Sequence, residues 1–218
     1  MTMPVKICGM QTKETIEAAL ASGASLIGFI FFEKSPRNVS PEEAGRLRRE
    51  IGDRASVVAV TVNADDAFLD RIVDRVKPDF LQLHGGETPE RVREVRARYG
   101  LPVIKVFSIR NASDIEAIQA WRGVADRFLL DAKAPAGSEL PGGNGVSFDW
   151  SLLRALDCDI EYMLSGGLNA GNIRAAIEAT GARAIDISSG VESAPGVKDS
   201  AMISRFFEKV AAASQPAV

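Results

Sequence analysis

Val-Lys-Ile-Cys at residues 5–8 places Val5 and Ile7 on one face of an extended segment and Lys6 and Cys8 on the other. The same period of two returns further along. Leu81 and Leu83 oppose Gln82 and His84, Ile185 and Ile187 oppose Asp186 and Ser188, and Phe128 and Leu130 oppose Asp131. In a fifth run, Ile104 and Val106 flank Lys105. A strand whose outer face is covered by helices should turn its apolar residues toward them, so the polar set is expected to point into a lumen. By that rule Ile104 and Val106 face out and Lys105 faces in.

Working outward, strand-like runs are predicted at 5–8, 26–31, 56–63, 79–83, 102–107, 127–131, 161–165 and 184–188. Amphipathic stretches lie between them, at 12–22, 65–76, 89–98 and 170–180, with a closing helix at 199–213. Thr12, Ser40 followed by Pro41, and Thr88 followed by Pro89 supply helix-start signals. Strands alternating with helices imply a parallel sheet with helices outside. An open doubly wound sheet and a closed barrel both satisfy the alternation. About eight strand–helix units in about 200 residues is what a (β/α)8 TIM barrel needs, and no GxGxxG follows the first strand. The expectation is a single barrel domain over residues 1–218, frayed only at 214–218.

Composition excludes several other classes. Of 218 residues 46% are hydrophobic and 25% charged, which suits one large core. A net charge of -3 argues against a nucleic-acid partner. Residues 1–4 lack a basic and apolar leader, and the most apolar run, 26–32, is too short to span a membrane. With one His and two distant cysteines, no metal site is expected, and a cytoplasmic enzyme with free thiols is. Cys158, without polar context, reads as structural.

The inward polar residues cluster at C-terminal strand ends, where TIM barrels hold their chemistry. Gly166-Gly167 closes the seventh strand and Ser188-Ser189-Gly190 follows the eighth. Those two loops, with a short extra helix, commonly cradle phosphate through backbone N–H groups; the bland reading is a pair of tight turns. Taken alone, Cys8 could be a small buried strand residue and Arg37 a solvated surface cation.

Several motifs narrow these choices. Lys-Ile-Cys-Gly at 6–9, Ser-Pro-Arg at 35–37, Gln-Leu-His-Gly at 82–85 and Leu-Leu-Asp at 129–131 occur in that order. Gly-Gly-Asn-Gly-Val-Ser-Phe-Asp-Trp at 142–150 and Ser-Gly-Gly-Leu-Asn at 165–169 follow them. Asp-Ile-Ser-Ser-Gly-Val-Glu at 186–192 and Pro-Gly-Val-Lys-Asp at 195–199 complete the series. From Lys6 to Asp199 the chain resembles the phosphoribosylanthranilate isomerase family, with no departure at a position that family uses for chemistry.

The resemblance implies a cofactor-free Amadori rearrangement of a phosphosugar, N-(5-phosphoribosyl)anthranilate, in tryptophan biosynthesis. It makes Asp131 the general acid, Cys8 the general base, and Arg37 the ligand of the anthranilate carboxylate. A free Cys titrates near 8.5, so Lys6, two residues back on the same face, is expected to favour the thiolate. A free Asp near 3.9 would be ionised, so Asp131 must be raised to act as an acid. His84 is expected to line the pocket and Asp186 to pair with Lys6 or orient the phosphate loop. The Gly-rich stretch from Gly137 to Gly145 is either a lid or a long connection. A monomer is favoured over a homodimer. The alternatives are another phosphosugar barrel, or a phosphate-binding barrel without turnover.

Overall fold

A computed structural model describes residues 3–132, 138, 140–145, 147–157 and 159–213. Eight strands pair in sequence order and close on themselves: β1 (Val5–Cys8), β2 (Leu26–Phe31), β3 (Ser56–Thr61), β4 (Phe80–Leu83), β5 (Val103–Ile109), β6 (Arg127–Ala132), β7 (Tyr162–Leu164) and β8 (Ala184–Ile187). Every neighbouring pair is parallel, and β1 closes the barrel against β8 with Lys6 opposite Asp186. The fold is therefore the (β/α)8 TIM barrel.

Helices α1 (Lys13–Ser22), α2 (Pro41–Ile51), α3 (Asp66–Val76), α4 (Pro89–Tyr99), α5 (Ala112–Ile118) and α6 (Ile173–Thr180) surround the strands. Their starts are fixed chemically. Thr12, Ser40, Asp65 and Thr88 each accept the backbone N–H three residues on, satisfying one of the donors that a first turn leaves free. A two-stranded ribbon, β9 (Glu192–Ala194) with β10 (Val197–Lys198), precedes the last helix, α7 (Ser200–Ala213). α7 docks against α1 and α6 and completes the outer ring. Cys158, parts of the Gly137 to Gly145 stretch and residues 214–218 lie outside the described residues.

Two layers of side chains make the core. Leu26, Val58, Val60, Ile104, Leu129 and Met163 fill the lumen beneath Cys8. Val5, Ile7, Leu81, Leu83, Leu130, Ile185 and Ile187 face the helices, as the period-two reading of those strands expects. The fifth strand departs from that reading. Ile104 and Val106 point into the lumen, whereas Lys105 points out among the helices. The reason is that β5 is apolar on both faces, so one lysine cannot decide its orientation. Phe107, on the Lys105 face, packs edge-on against Trp121 and Phe128 at 5.4 and 5.3 Å. Lys105 can be buried there because Glu87 waits at 2.8 Å, with the Gly85 carbonyl at 2.7 Å. Glu87 also accepts the backbone N–H groups of Asn63 and Gly85, tying three strand ends together.

The sixth repeat differs as well. In place of an α-helix the described chain has a 3-10 turn at Trp150–Ala155. A further 3-10 turn, Ser189–Val191, follows β8 where a short extra helix was expected.

Breaking a buried ion pair leaves a lone charge in low dielectric. Lys105→Met is therefore expected to lower the unfolding free energy by about 3 kcal/mol, near the bottom of the usual range because Glu87 keeps its backbone donors. Urea denaturation measures this, and a loss within experimental error would contradict the account. Gly28 sits opposite Cys8, and a Cβ there would lie 3.0 Å from Lys6 Cε and 3.2 Å from Cys8 Sγ. Gly28→Ala should cost about 1–3 kcal/mol by overpacking, read from the same denaturation curve.

Candidate active site

The C-terminal ends of the strands open onto one pocket. Cys8 from β1, Asp131 from β6 and Asp186 from β8 line it, with Arg37 and His84 from the loops after β2 and β4. Gly166, Gly167, Ser188 and Ser189, from the loops after β7 and β8, form part of its rim. Lys6 and Gly190 do not reach the wall. Lys6 is wholly buried beneath the floor. Gly190 packs so closely on the loop after β7 that a Cβ would lie 1.9 Å from the Leu168 carbonyl oxygen, which no side chain permits. That backbone-to-backbone contact brings the two glycine-containing loops side by side.

Parity explains the floor. Lys6 and Asp186 are register partners with side chains turned inward, and the ammonium lies 2.8 Å from the carboxylate. Ser165 Oγ donates to the other carboxylate oxygen at 3.3 Å. Burial pulls the Lys6 ammonium toward neutrality, but the charges of Asp186 and then Cys8 outweigh it and raise its pKa. For Cys8, burial is the largest influence and pushes the thiol above its ordinary value. Lys6 acts in the expected direction, favouring the thiolate, yet it is outweighed, because Asp186 opposes it from the same level. Lys198 is a second cation that favours the thiolate.

His84 stands between β4 and Asp131. Its Nδ1 is 3.5 Å from the Gln82 amide nitrogen, and its Nε2 is 3.5 Å from Asp131 Oδ2. Asp131 Oδ1 accepts the Ala132 N–H at 2.8 Å. The backbone of Gly142 lies directly over both groups, since a Cβ there would meet Asp131 Oδ2 at 2.5 Å and His84 at 2.7 Å. The described part of the Gly-rich stretch thus roofs the carboxyl.

Arg37 differs from a simple carboxylate fork. Its Nε and Nη2 already hold Glu192, at 2.7 and 2.8 Å, and Nη2 also donates to the Gly143 carbonyl at 3.3 Å. The remaining Nη1 edge faces Gly143 at the pocket wall. Glu192 in turn accepts Lys198 Nζ at 2.5 Å, and Lys198 donates to the Ser188 carbonyl and hydroxyl. Burial works against the Glu192 carboxylate, but Arg37 and Lys198 hold it below the usual range. Burial also lowers the Lys198 ammonium, opposed by Glu192.

Sequence reasoning did not single out Glu192 and Lys198. Both stood inside quoted motifs, and the Pro-Gly turn between them was a signal for the β9–β10 ribbon that brings them together. Gln82 was read as inward but given no part, and Gly28 was passed over.

Residues 5–209 match the family model described as N-(5'phosphoribosyl)anthranilate (PRA) isomerase. The N-(5'-phosphoribosyl)anthranilate isomerase of Brucella canis is 64% identical over 214 residues, covering 98% of this chain and 96% of its own. Among solved structures, phosphoribosyl anthranilate isomerase from Thermotoga maritima superposes with a TM-score of 0.85 at 35% identity, over 97% of this chain and 100% of its own. Another phosphoribosyl anthranilate isomerase, solved in complex with reduced 1-(o-carboxyphenylamino)-1-deoxyribulose 5-phosphate, gives 0.82 at 33% identity, over the same shares of each chain. With the barrel, the pocket and these relatives in agreement, the chain belongs to the phosphoribosylanthranilate isomerase family, the isomerases of tryptophan biosynthesis.

Proposed function

We propose that this chain converts N-(5-phosphoribosyl)anthranilate to 1-(2-carboxyphenylamino)-1-deoxyribulose 5-phosphate, with Asp131 as general acid and Cys8 as general base. The observation that carries the reading is that the Cys8 thiol and the Asp131 carboxyl open onto one pocket at the C-terminal mouth of the barrel. Asp131, as the carboxylic acid, gives its proton to the ribose ring oxygen. The C1–oxygen bond breaks, and the nitrogen lone pair forms a protonated Schiff base. The Cys8 thiolate then removes the C2 proton, and those electrons flow to the iminium to give an enolamine. Loss of the enol proton and protonation of C1 yield the ketone.

The order of events offsets the raised thiol pKa. Burial disfavours thiolate in the free site, but ring opening creates a cation next to C2, and a nearby positive charge favours the thiolate. The substrate phosphate fits the rim made by Gly166, Gly167, Ser188 and Ser189, where the loops after β7 and β8 meet and the Ser189–Val191 turn begins. The anthranilate carboxylate meets the Nη1 edge of Arg37, the edge Glu192 leaves open. His84 lines the wall beside Asp131. Every group in this scheme comes from one chain, so a monomer suffices. A base that must remain a free thiol suits a reducing compartment, the cytoplasm.

General acid–base groups contribute about 10²–10⁴-fold each, so Cys8→Ala and Asp131→Asn should each lower kcat by about that factor while product still binds. Anthranilate fluorescence follows both quantities. Near-normal turnover in the two variants would remove this mechanism and leave a phosphate-binding barrel. Thiol ionisation gives a separate check. The difference in thiolate absorbance between the wild type and Cys8→Ser should rise only above the ordinary cysteine range. A transition at neutral pH would contradict the burial argument.

A further inference from the structure

Outside the acid–base pair, the most fully satisfied buried charge near the pocket is Glu192. Its side chain is 3% exposed, and those of its partners Arg37 and Lys198 are 4% and 2% exposed. One carboxylate oxygen accepts Arg37 Nε at 2.7 Å and Lys198 Nζ at 2.5 Å. The other accepts Arg37 Nη2 at 2.8 Å and the Gly196 N–H at 3.2 Å. A carboxylate has about four lone-pair sites, and here all are taken. Glu192 therefore has no capacity left for substrate and can act only through its partners.

We infer that Glu192 is a positioning residue that sets selectivity for an aryl carboxylate by locking Arg37 with its Nη1 edge toward the pocket. The inference rests on the proposal that Arg37 reads that carboxylate. A guanidinium is planar, so fixing Nε and Nη2 fixes where Nη1 points. The three charges sum to one positive unit, two cations against one carboxylate, which leaves the edge attractive to an anion. Through Lys198 the same carboxylate reaches Ser188, whose hydroxyl donates to the Cys8 carbonyl at 3.0 Å. Those links run through Lys198, which bonds Ser188 directly, so the rim keeps its partner when Glu192 is shortened. A long side chain released from this lock must be ordered again at each binding event, which weakens binding without touching the proton transfers.

The test compares N-(5-phosphoribosyl)anthranilate with the aniline analogue, which lacks the ortho carboxylate. Glu192→Asp keeps the charge but draws it back from the guanidinium. It should raise KM for the anthranilate substrate about 10- to 100-fold, the scale of a misplacement near 1 Å, with kcat little changed. For the aniline analogue its KM should match the wild type. A purely structural role predicts equal losses on both substrates, and that outcome overturns the inference. Should Glu192→Asp fail to fold, Glu192→Gln, which keeps the side-chain length and leaves Lys198 on Ser188, should show the same selective rise. Arg37→Ala separates the two levels. If its KM rises equally on both substrates, the reading of Arg37 is wrong; if the rise is confined to the anthranilate substrate and Glu192→Asp shows no such rise, only the role of Glu192 falls.

Discussion

Lys6 and Asp186 meet where the first strand of the chain joins the eighth, the seam that turns a sheet into a cylinder. Neither group can be buried alone, since the desolvation of an unpaired charge is far too large for a marginally stable fold. The contact forms only when β1 and β8 lie in one register, because a slip of one strand by one residue would turn its charged side chain to the outer face and leave the other unpaired. Closure of the barrel and the pairing of these charges are therefore one event. The result is a rigid, electrically balanced floor under Cys8, with Ser165 bracing the far side of the carboxylate.

That floor has a chemical consequence. An isolated ammonium under a thiol would favour the thiolate, but this one is shared with a carboxylate at the same level, so burial dominates and pushes the thiol above its ordinary value. In the proposed mechanism the barrel thus holds its base in reserve. A low-dielectric, prearranged site makes a new charge count for more than it would in water, and the new charge in this reaction is the iminium that ring opening generates. With the proposed roles of Asp131 and Cys8, acid first and base second is the order these electrostatics favour.

How much of this was readable beforehand depends on how far each residue's environment is local. Strand parity at β1, β4, β6 and β8 could be read because one face was uniformly apolar and the other carried the polar residues. β5 could not, because its two faces are alike and the fate of Lys105 depends on Glu87, eighteen residues earlier. Helix starts at Thr12, Ser40 and Thr88 followed from side-chain capping, which spans three residues. The pocket lining followed from the rule that chemistry sits at C-terminal strand ends. What escaped was the Arg37–Glu192–Lys198 cluster, since Arg37 and Glu192 are 155 positions apart and nothing in either neighbourhood announces the other. Motif order could flag both as members of a family set, but only the β9–β10 ribbon carries Lys198 back onto Glu192.

Apart from Asp131, two ion-paired clusters, with two carboxylates and three cations between them, carry the buried charge beside the pocket: Asp186 with Lys6, and Glu192 with Lys198 and Arg37. Each lysine is matched, and the surplus resides on the one group whose remaining donors face the cavity. A substrate with an anion at each end completes this arrangement from both sides. On the proposed reading its carboxylate takes the surplus charge at Arg37 and its phosphate the rim of Gly166, Gly167, Ser188 and Ser189, which holds the sugar between Cys8 and Asp131 by its two ends. Binding energy is drawn from the parts of the molecule that do not react, which is how a small barrel can orient a flexible sugar for two proton transfers.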